Sequence, residues 1–93
     1  MAIGQITYIK LYKDGENMIC PIEMKTKEDV ERVSREAANL GIDMSVSCGN
    51  VMIDPRSILA LFTLVGKRAN LVAPDDLNPK VFERVVKRMG VAV

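Results

Sequence analysis

Ninety-three residues, 48% of them hydrophobic and 27% charged, fit one folded domain (1–93) with a single core and exclude both a disordered chain and a second domain. A net charge of +1 gives no footing for nucleic acid or an acidic membrane as a partner. The chain has no histidine, which excludes Ser-His-Asp and Cys-His catalysis. Its two cysteines, Cys20 and Cys48, make no metal set, so neither a metal nor a cofactor is expected.

In chain order, residues 6–12 (ITYIKLY) are dense in β-branched and aromatic side chains and read as the first strand. Residues 13–17 form a turn, with Asp14-Gly15 supplying the positive φ of a tight reversal. The segment 18–24 (MICPIEM) is apolar but interrupted by Pro21, so it reads either as an edge strand or as an extended loop over the core. Residues 26–40 form a helix. Thr26 and Asp29 have capping-box spacing, Val30, Val33, Ala37 and Leu40 make one stripe, and Gly41 follows as the C′ residue.

The alternation over 42–48 (IDMSVSC) predicts a half-buried antiparallel strand with Ile42, Met44, Val46 and Cys48 inward. Gly49-Asn50 is a two-residue hairpin loop leading to a short strand over 51–53. Asp54-Pro55-Arg56-Ser57 then opens a short helix over 58–64. Its Ile58, Leu59, Leu61, Phe62 and Leu64 cover more than one face, so it either lies deep in the core or keeps surface for a partner. Gly66 ends it, 69–73 (ANLVA) is the fourth strand, and Asn78-Pro79 starts a last amphipathic helix over 79–89. This order predicts an α+β fold with the helices over one sheet face.

Little catalytic chemistry is visible. The helical carboxylates sit on solvated faces beside lysine and arginine, and no glycine-rich phosphate loop occurs. Cys20 reads as a quiet buried thiol, with a reactive thiol in an exposed 18–24 loop as the sharper alternative. Thr26, Ser57 and Asn78 are explained as N-caps. Ser57 also has Arg56 before it and an apolar helix after it, and a phosphate there would interact favourably with the helix start. The chain is not expected to be an enzyme. Met1–Gln5 shows no signal-peptide pattern and the apolar run 58–65 is too short to span a bilayer, so free thiols in a cytoplasmic setting are expected.

From Thr26 to Gly90 the chain resembles HPr, the histidine phosphocarrier family of the bacterial sugar phosphotransferase system. The likeness rests on 42–48, on Gly49-Asn50, and above all on Ser57-Ile58-Leu59-Ala60-Leu61-Phe62-Thr63-Leu64, which is similar to the family's S-I-[LM]-G-[LV]-M-[ST]-L segment. It implies an open-faced sandwich, a four-stranded antiparallel sheet with three helices on one face. It also implies that Ser57 takes the place of a regulatory phosphoserine, and that Ile58, Leu59 and Phe62 take the place of a protein-docking patch.

The family's G-[LI]-H-[AT]-R-P segment is not matched. Its histidine position falls near Thr26 and its arginine position near Glu28. Threonine cannot form a phosphoramidate, and Glu28 would repel phosphate, so phosphocarrier activity is expected to be absent. The segment 13–25 is longer than the family's. The resemblance thus implies a non-catalytic, Crh-like relative in carbon catabolite regulation, with an HPr kinase or a transcriptional regulator as partner. The alternative is a degenerate scaffold with a binding or oligomerisation role centred on 18–24 and Cys20. A ferredoxin-like βαββαβ domain with an added helix is the competing fold, and strand pairing distinguishes it.

Overall fold

A computed structural model describes residues 10–93. The elements are β1 (Tyr12–Asp14), β2 (Asn17–Glu23), α1 (Lys27–Leu40), β3 (Ser45–Cys48), β4 (Val51–Ile53), α2 (Ile58–Phe62), β5 (Arg68–Pro74) and α3 (Pro79–Met89). The strands form one antiparallel sheet in the order β1-β2-β5-β3-β4. The final strand is thus interior, between β2 and β3. That differs from a ferredoxin-like arrangement, in which the last strand lies at an edge.

Two expectations need correction. The described part of the sheet has five strands rather than four. The expected first strand, 6–12, lies outside the described residues except for its last three, and of these only Tyr12 is in a strand. The segment 18–24, expected as an edge strand or a loop, is instead β2 and its continuation. It pairs along its whole length with β5, from Asn17 opposite Pro74 to Glu23 opposite Arg68.

Pro21 is tolerated there because of the direction its missing N–H would take. The Pro21 carbonyl accepts from the Val93 N–H at 3.1 Å, and the Glu23 N–H donates to the Val91 carbonyl at 2.9 Å. In a strand, a residue's N–H and C=O point to the same side. The N–H that Pro21 lacks would therefore face these C-terminal residues, and the β2–β5 ladder loses nothing. β1 covers the first half of the same edge, with Tyr12 opposite Ile19.

Alternation sorts the side chains. Met18, Cys20 and Ile22 of β2, Val46 of β3, and Ala69, Leu71 and Ala73 of β5 are buried on one face. They join one core with Val30, Val33 and Ala37 of α1, Leu61 of α2, and Phe82, Val85, Val86 and Met89 of α3. The other face presents Tyr12, Ile19, Pro21, Ser47, Met52, Asn70 and Val72, which are half-buried or exposed. Among the described residues, helices cover one face and no element covers the other, an α+β arrangement compatible with an open-faced sandwich.

The helix punctuation is as the sequence predicts. The Thr26 hydroxyl accepts from the Asp29 N–H, the Asp29 carboxylate accepts from the Thr26 N–H, and Gly41 closes α1 at φ 69°. The Asn78 side chain caps α3, with Pro79 at its start. Arg32 joins the two helices: its Nε donates to the Met89 carbonyl at 2.8 Å and its Nη2 to Asp29 at 2.6 Å. One side chain thereby satisfies a carbonyl in the last turn of α3 and holds the carboxylate that caps α1. The strand expected over 42–48 pairs only from Ser45 onward, although Met44 is buried as expected. α2 ends at Phe62, and the chain turns tightly to Gly66, whose N–H donates to the Met24 carbonyl at 2.8 Å.

Candidate functional site

The stretch 54–62 builds the most solvent-facing apolar surface on a described helix. Its entry is a proline turn. The Ser57 N–H donates to the Asp54 carbonyl at 2.9 Å, and Pro55 is fully buried, anchoring the turn in the core. The Ser34 hydroxyl donates to the Arg56 carbonyl at 3.2 Å, tying the turn to α1. Only Leu61 of α2 is buried. Leu59 is 78% exposed, and Ile58 and Phe62 are 37% and 39% exposed. A five-residue helix anchored by one leucine cannot bring its remaining faces into the same core.

Ser57 precedes this helix in extended geometry and makes no side-chain cap hydrogen bond. Its residue is exposed, so its hydroxyl is presented to solvent rather than spent on the helix start. The expected help from Arg56 is engaged elsewhere. Arg56 grips Asp54 with two side-chain hydrogen bonds of 3.1 and 3.0 Å, and its backbone N–H reaches the same carboxylate at 2.9 Å. The Arg56 guanidinium hydrogen bond, with the Arg56 N–H behind it, holds the Asp54 carboxyl below its ordinary range. A phosphate on Ser57 thus meets a neutral Asp54–Arg56 pair, not a free cation, and would have to compete with Asp54 for the guanidinium.

The place where the resemblance puts a histidine is differently occupied. Thr26 is committed to its capping box, and the Asp29 carboxylate lies across the start of α1, accepting from Lys25 at 2.8 Å and Thr26 at 3.2 Å. These backbone donors would serve a phosphate if the carboxylate were absent. Glu28 is exposed beside them. Ser34, which contacts the entry to α2, lies roughly two turns further along α1 from Thr26, about 12 Å along the axis. The structure brings Ser57, Ile58, Leu59 and Phe62 together; from the Ser34–Arg56 contact at the middle of α1 the chain runs through α2 back toward the start of α1, where the Gly66 N–H donates to the Met24 carbonyl at 2.8 Å.

A role centred on an 18–24 loop loses its structural premise. That segment is paired strand, and Met18, Cys20, Ile22 and Met24 are buried. Burial pushes the Cys20 thiol up to about 11, which suppresses the reactive thiolate. Cys48 is half-buried, with its Sγ 3.5 Å from the Arg68 carbonyl, and both thiols are free. In the native protein a thiol reagent is therefore expected to modify Cys48 and spare Cys20 until the domain unfolds. Equal labelling of both cysteines would contradict the burial of β2.

No helix among the described residues is long and apolar enough to cross a membrane. No group of three potential metal ligands comes together among them. Sequence reasoning missed the Asp54–Arg56 pair, the Asp29 carboxylate as an anion already seated at α1, and the exposure of Val51 and Met52. The Asp-Pro-Arg spacing and the capping-box aspartate were signals for the first two. Compared with known protein families, curated proteins and solved structures, the chain shows no match to any.

Proposed function

We propose that this is a non-catalytic, HPr-like protein that works by binding other proteins through Ile58, Leu59 and Phe62, with Ser57 as its regulatory phosphorylation site. One observation carries the reading: a short helix keeps three large apolar side chains in solvent directly after an exposed serine whose hydroxyl caps nothing. An apolar patch of this kind marks a protein interface. A phosphate at its rim adds about −1.5 to −2 charges, enough to change which partner the patch accepts.

Two further features support the family reading. An antiparallel sheet with helices over one face is compatible with the open-faced sandwich the resemblance implies, with five strands in place of four and β2 formed where the sequence allows either an edge strand or a loop. The start of α1, where a phosphocarrier of this kind needs a histidine, holds Thr26 with the Asp29 carboxylate over its N–H groups. Phosphoryl transfer through this end of the molecule is therefore not part of the proposal. The partners are an HPr kinase, which would transfer the γ-phosphoryl group of ATP to Ser57 Oγ with ADP leaving, and a transcriptional regulator that reads the result.

A serine-specific HPr kinase with ATP is expected to add one phosphate, and Ser57→Ala to abolish it. Phosphoenolpyruvate with the upstream phosphotransferase enzyme is expected to leave the chain unlabelled. No incorporation under conditions that label a genuine HPr, or any acid-labile phosphate on this chain, overturns the reading.

A further inference from the structure

The outer edge of the sheet at β4 has the features of a pairing surface. Val51–Ile53 carries no charge and no proline, and its register with β3 is unbroken, so of the usual devices that block strand addition only its shortness remains. Its backbone direction follows from the two-residue loop. Cys48 and Val51 flank Gly49-Asn50 and form the hydrogen-bonded closing pair of the hairpin. Alternation turns Ile53 toward β3 as well and leaves the Met52 N–H and C=O pointing away from the sheet. The same alternation, carried through β3, β5 and β2, points the Pro21 carbonyl and the Glu23 N–H outward at the far side of β2. Both are bonded there by the C-terminal residues, which checks the phase. Among the described residues no strand covers the outer side of β4.

The side chains argue for the kind of occupant. Val51 is 54% exposed and Met52 61% exposed, and as neighbours in a strand they project from opposite faces of the sheet. A helix or ligand resting on one face would cover one of them. A strand added in the plane of the sheet covers both.

We propose that β4 pairs antiparallel with β4 of a second copy about a two-fold axis at Met52, joining the two sheets edge to edge. The register is self-complementary, as an isologous contact requires. The outward N–H and C=O of Met52 bond to those of Met52 in the second copy. Val51 faces Ile53 of the second copy, and Asn50 faces its Asp54, an amide against a carboxylate that already carries its Arg56 counter-charge. A parallel arrangement would instead set Asp54 against Asp54. The opposite end of the sheet is less suited, because β1 carries Lys13, which is ion-paired with Asp75 at 3.5 Å, and Asp14. One pair of backbone bonds and a short strand make this a weak, concentration-dependent association rather than an obligate dimer.

Sedimentation of the intact chain from micromolar to millimolar concentration tests it, together with cross-linking. The wild type is expected to move from monomer toward dimer. Met52→Lys sets like charges on the axis and is expected to raise the dissociation constant at least about tenfold. A hydrogen-bonded antiparallel pair holds its Cα atoms about 5.5 Å apart, within disulfide range. Met52→Cys is therefore expected to form a disulfide dimer on mild oxidation, above the wild-type background from Cys48. Leu59→Cys, more exposed but on α2, is expected to stay at that background. Circular dichroism checks that each variant is folded, as the exposure of both positions predicts. A wild type that stays monomeric at millimolar concentration overturns the proposal. So does undiminished association of Met52→Lys, or Leu59→Cys cross-linking as well as Met52→Cys, and either of these would point to a different surface. None of these results bears on Ser57 phosphorylation.

Discussion

Phe82→Ala is expected to remove about 3–5 kcal/mol of stability and to lower the unfolding midpoint by roughly 15–30 °C. Phe82 is fully buried and is the largest such side chain in the described protein. It lies on α3 in the same core as the inward residues of the sheet and α1. Truncation removes a ring from a close-packed interior and leaves a cavity that neighbours on rigid elements fill only in part. A domain of this size has about 5–15 kcal/mol in total, so one substitution consumes a large share of it. Chemical denaturation is the measurement, with the slope unchanged and the midpoint shifted. A loss below about 1 kcal/mol would mean that the α3–sheet interface is not packed as described. Leu59→Ala is the contrast: with its side chain largely in solvent, it is expected to change stability within about 0.5 kcal/mol.

Asp29→Asn is the second large effect, and it depends on pH. The Asp29 carboxylate takes hydrogen bonds from the Lys25 and Thr26 N–H groups and an ion pair from Arg32. The Lys25 N–H is the chief reason its pKa lies below the ordinary 3.8; burial opposes it more strongly than Thr26 or Arg32 singly supports it, and the three favourable partners together outweigh burial. A carboxyl with a depressed folded-state pKa stabilises the fold above its unfolded value, and that stabilisation is lost as pH falls through the folded value. At neutral pH the substitution is expected to cost about 1–2 kcal/mol, the scale of a lost N-cap and a charge-assisted hydrogen bond. The difference from wild type is expected to shrink once pH falls below 3.8. The side chain is 17% exposed, so screening by salt is only partial. A gap that stays constant from neutral to strongly acidic pH would assign the effect to packing rather than to charge.

The same carboxylate bears on function. It occupies the backbone donors at the start of α1, where the resemblance places a phosphohistidine. The chain thus carries a fixed anion at the position where a phosphocarrier would need a transient one. On α2 and its entry turn, Ser57 and the apolar residues Ile58, Leu59 and Phe62 stay exposed. The proposed function and the proposed strand pairing use different surfaces, α2 and the β4 edge.

Much of the local structure was legible in the sequence. Thr26 with Asp29, Asn78 with Pro79, and Gly41 and Gly90 mark the helix ends, because caps are set by side chains and glycines within a few residues of one another. Val30, Val33 and Ala37, and Phe82, Val85, Val86 and Met89, showed their buried stripes through helical spacing alone. The Gly49-Asn50 hairpin was equally local: Gly49 takes a φ of 61°, which a side chain disfavours. Of the candidate site, the turn at Asp54-Pro55 and the surplus of apolar residues on α2 were visible, since a helix that short cannot bury every face.

The tertiary structure alone decided the rest. Whether Ile58, Leu59 and Phe62 stay in solvent depends on which face of α2 meets the core, and only the burial of Leu61 and Pro55 determines that. Strand neighbours are chosen between segments far apart in the chain, and pairing leaves no period in either one. The place of β5 between β2 and β3 was therefore not readable, nor was the addition of β1. Pro21 shows the reason most clearly. In sequence it argues for an edge, because it cannot donate. In the fold it sits in a strand with neighbours on both sides, because its missing N–H faces the C-terminal residues rather than β5. The residue type established that one donor was missing, and the direction in which it is missing belongs to the assembled sheet.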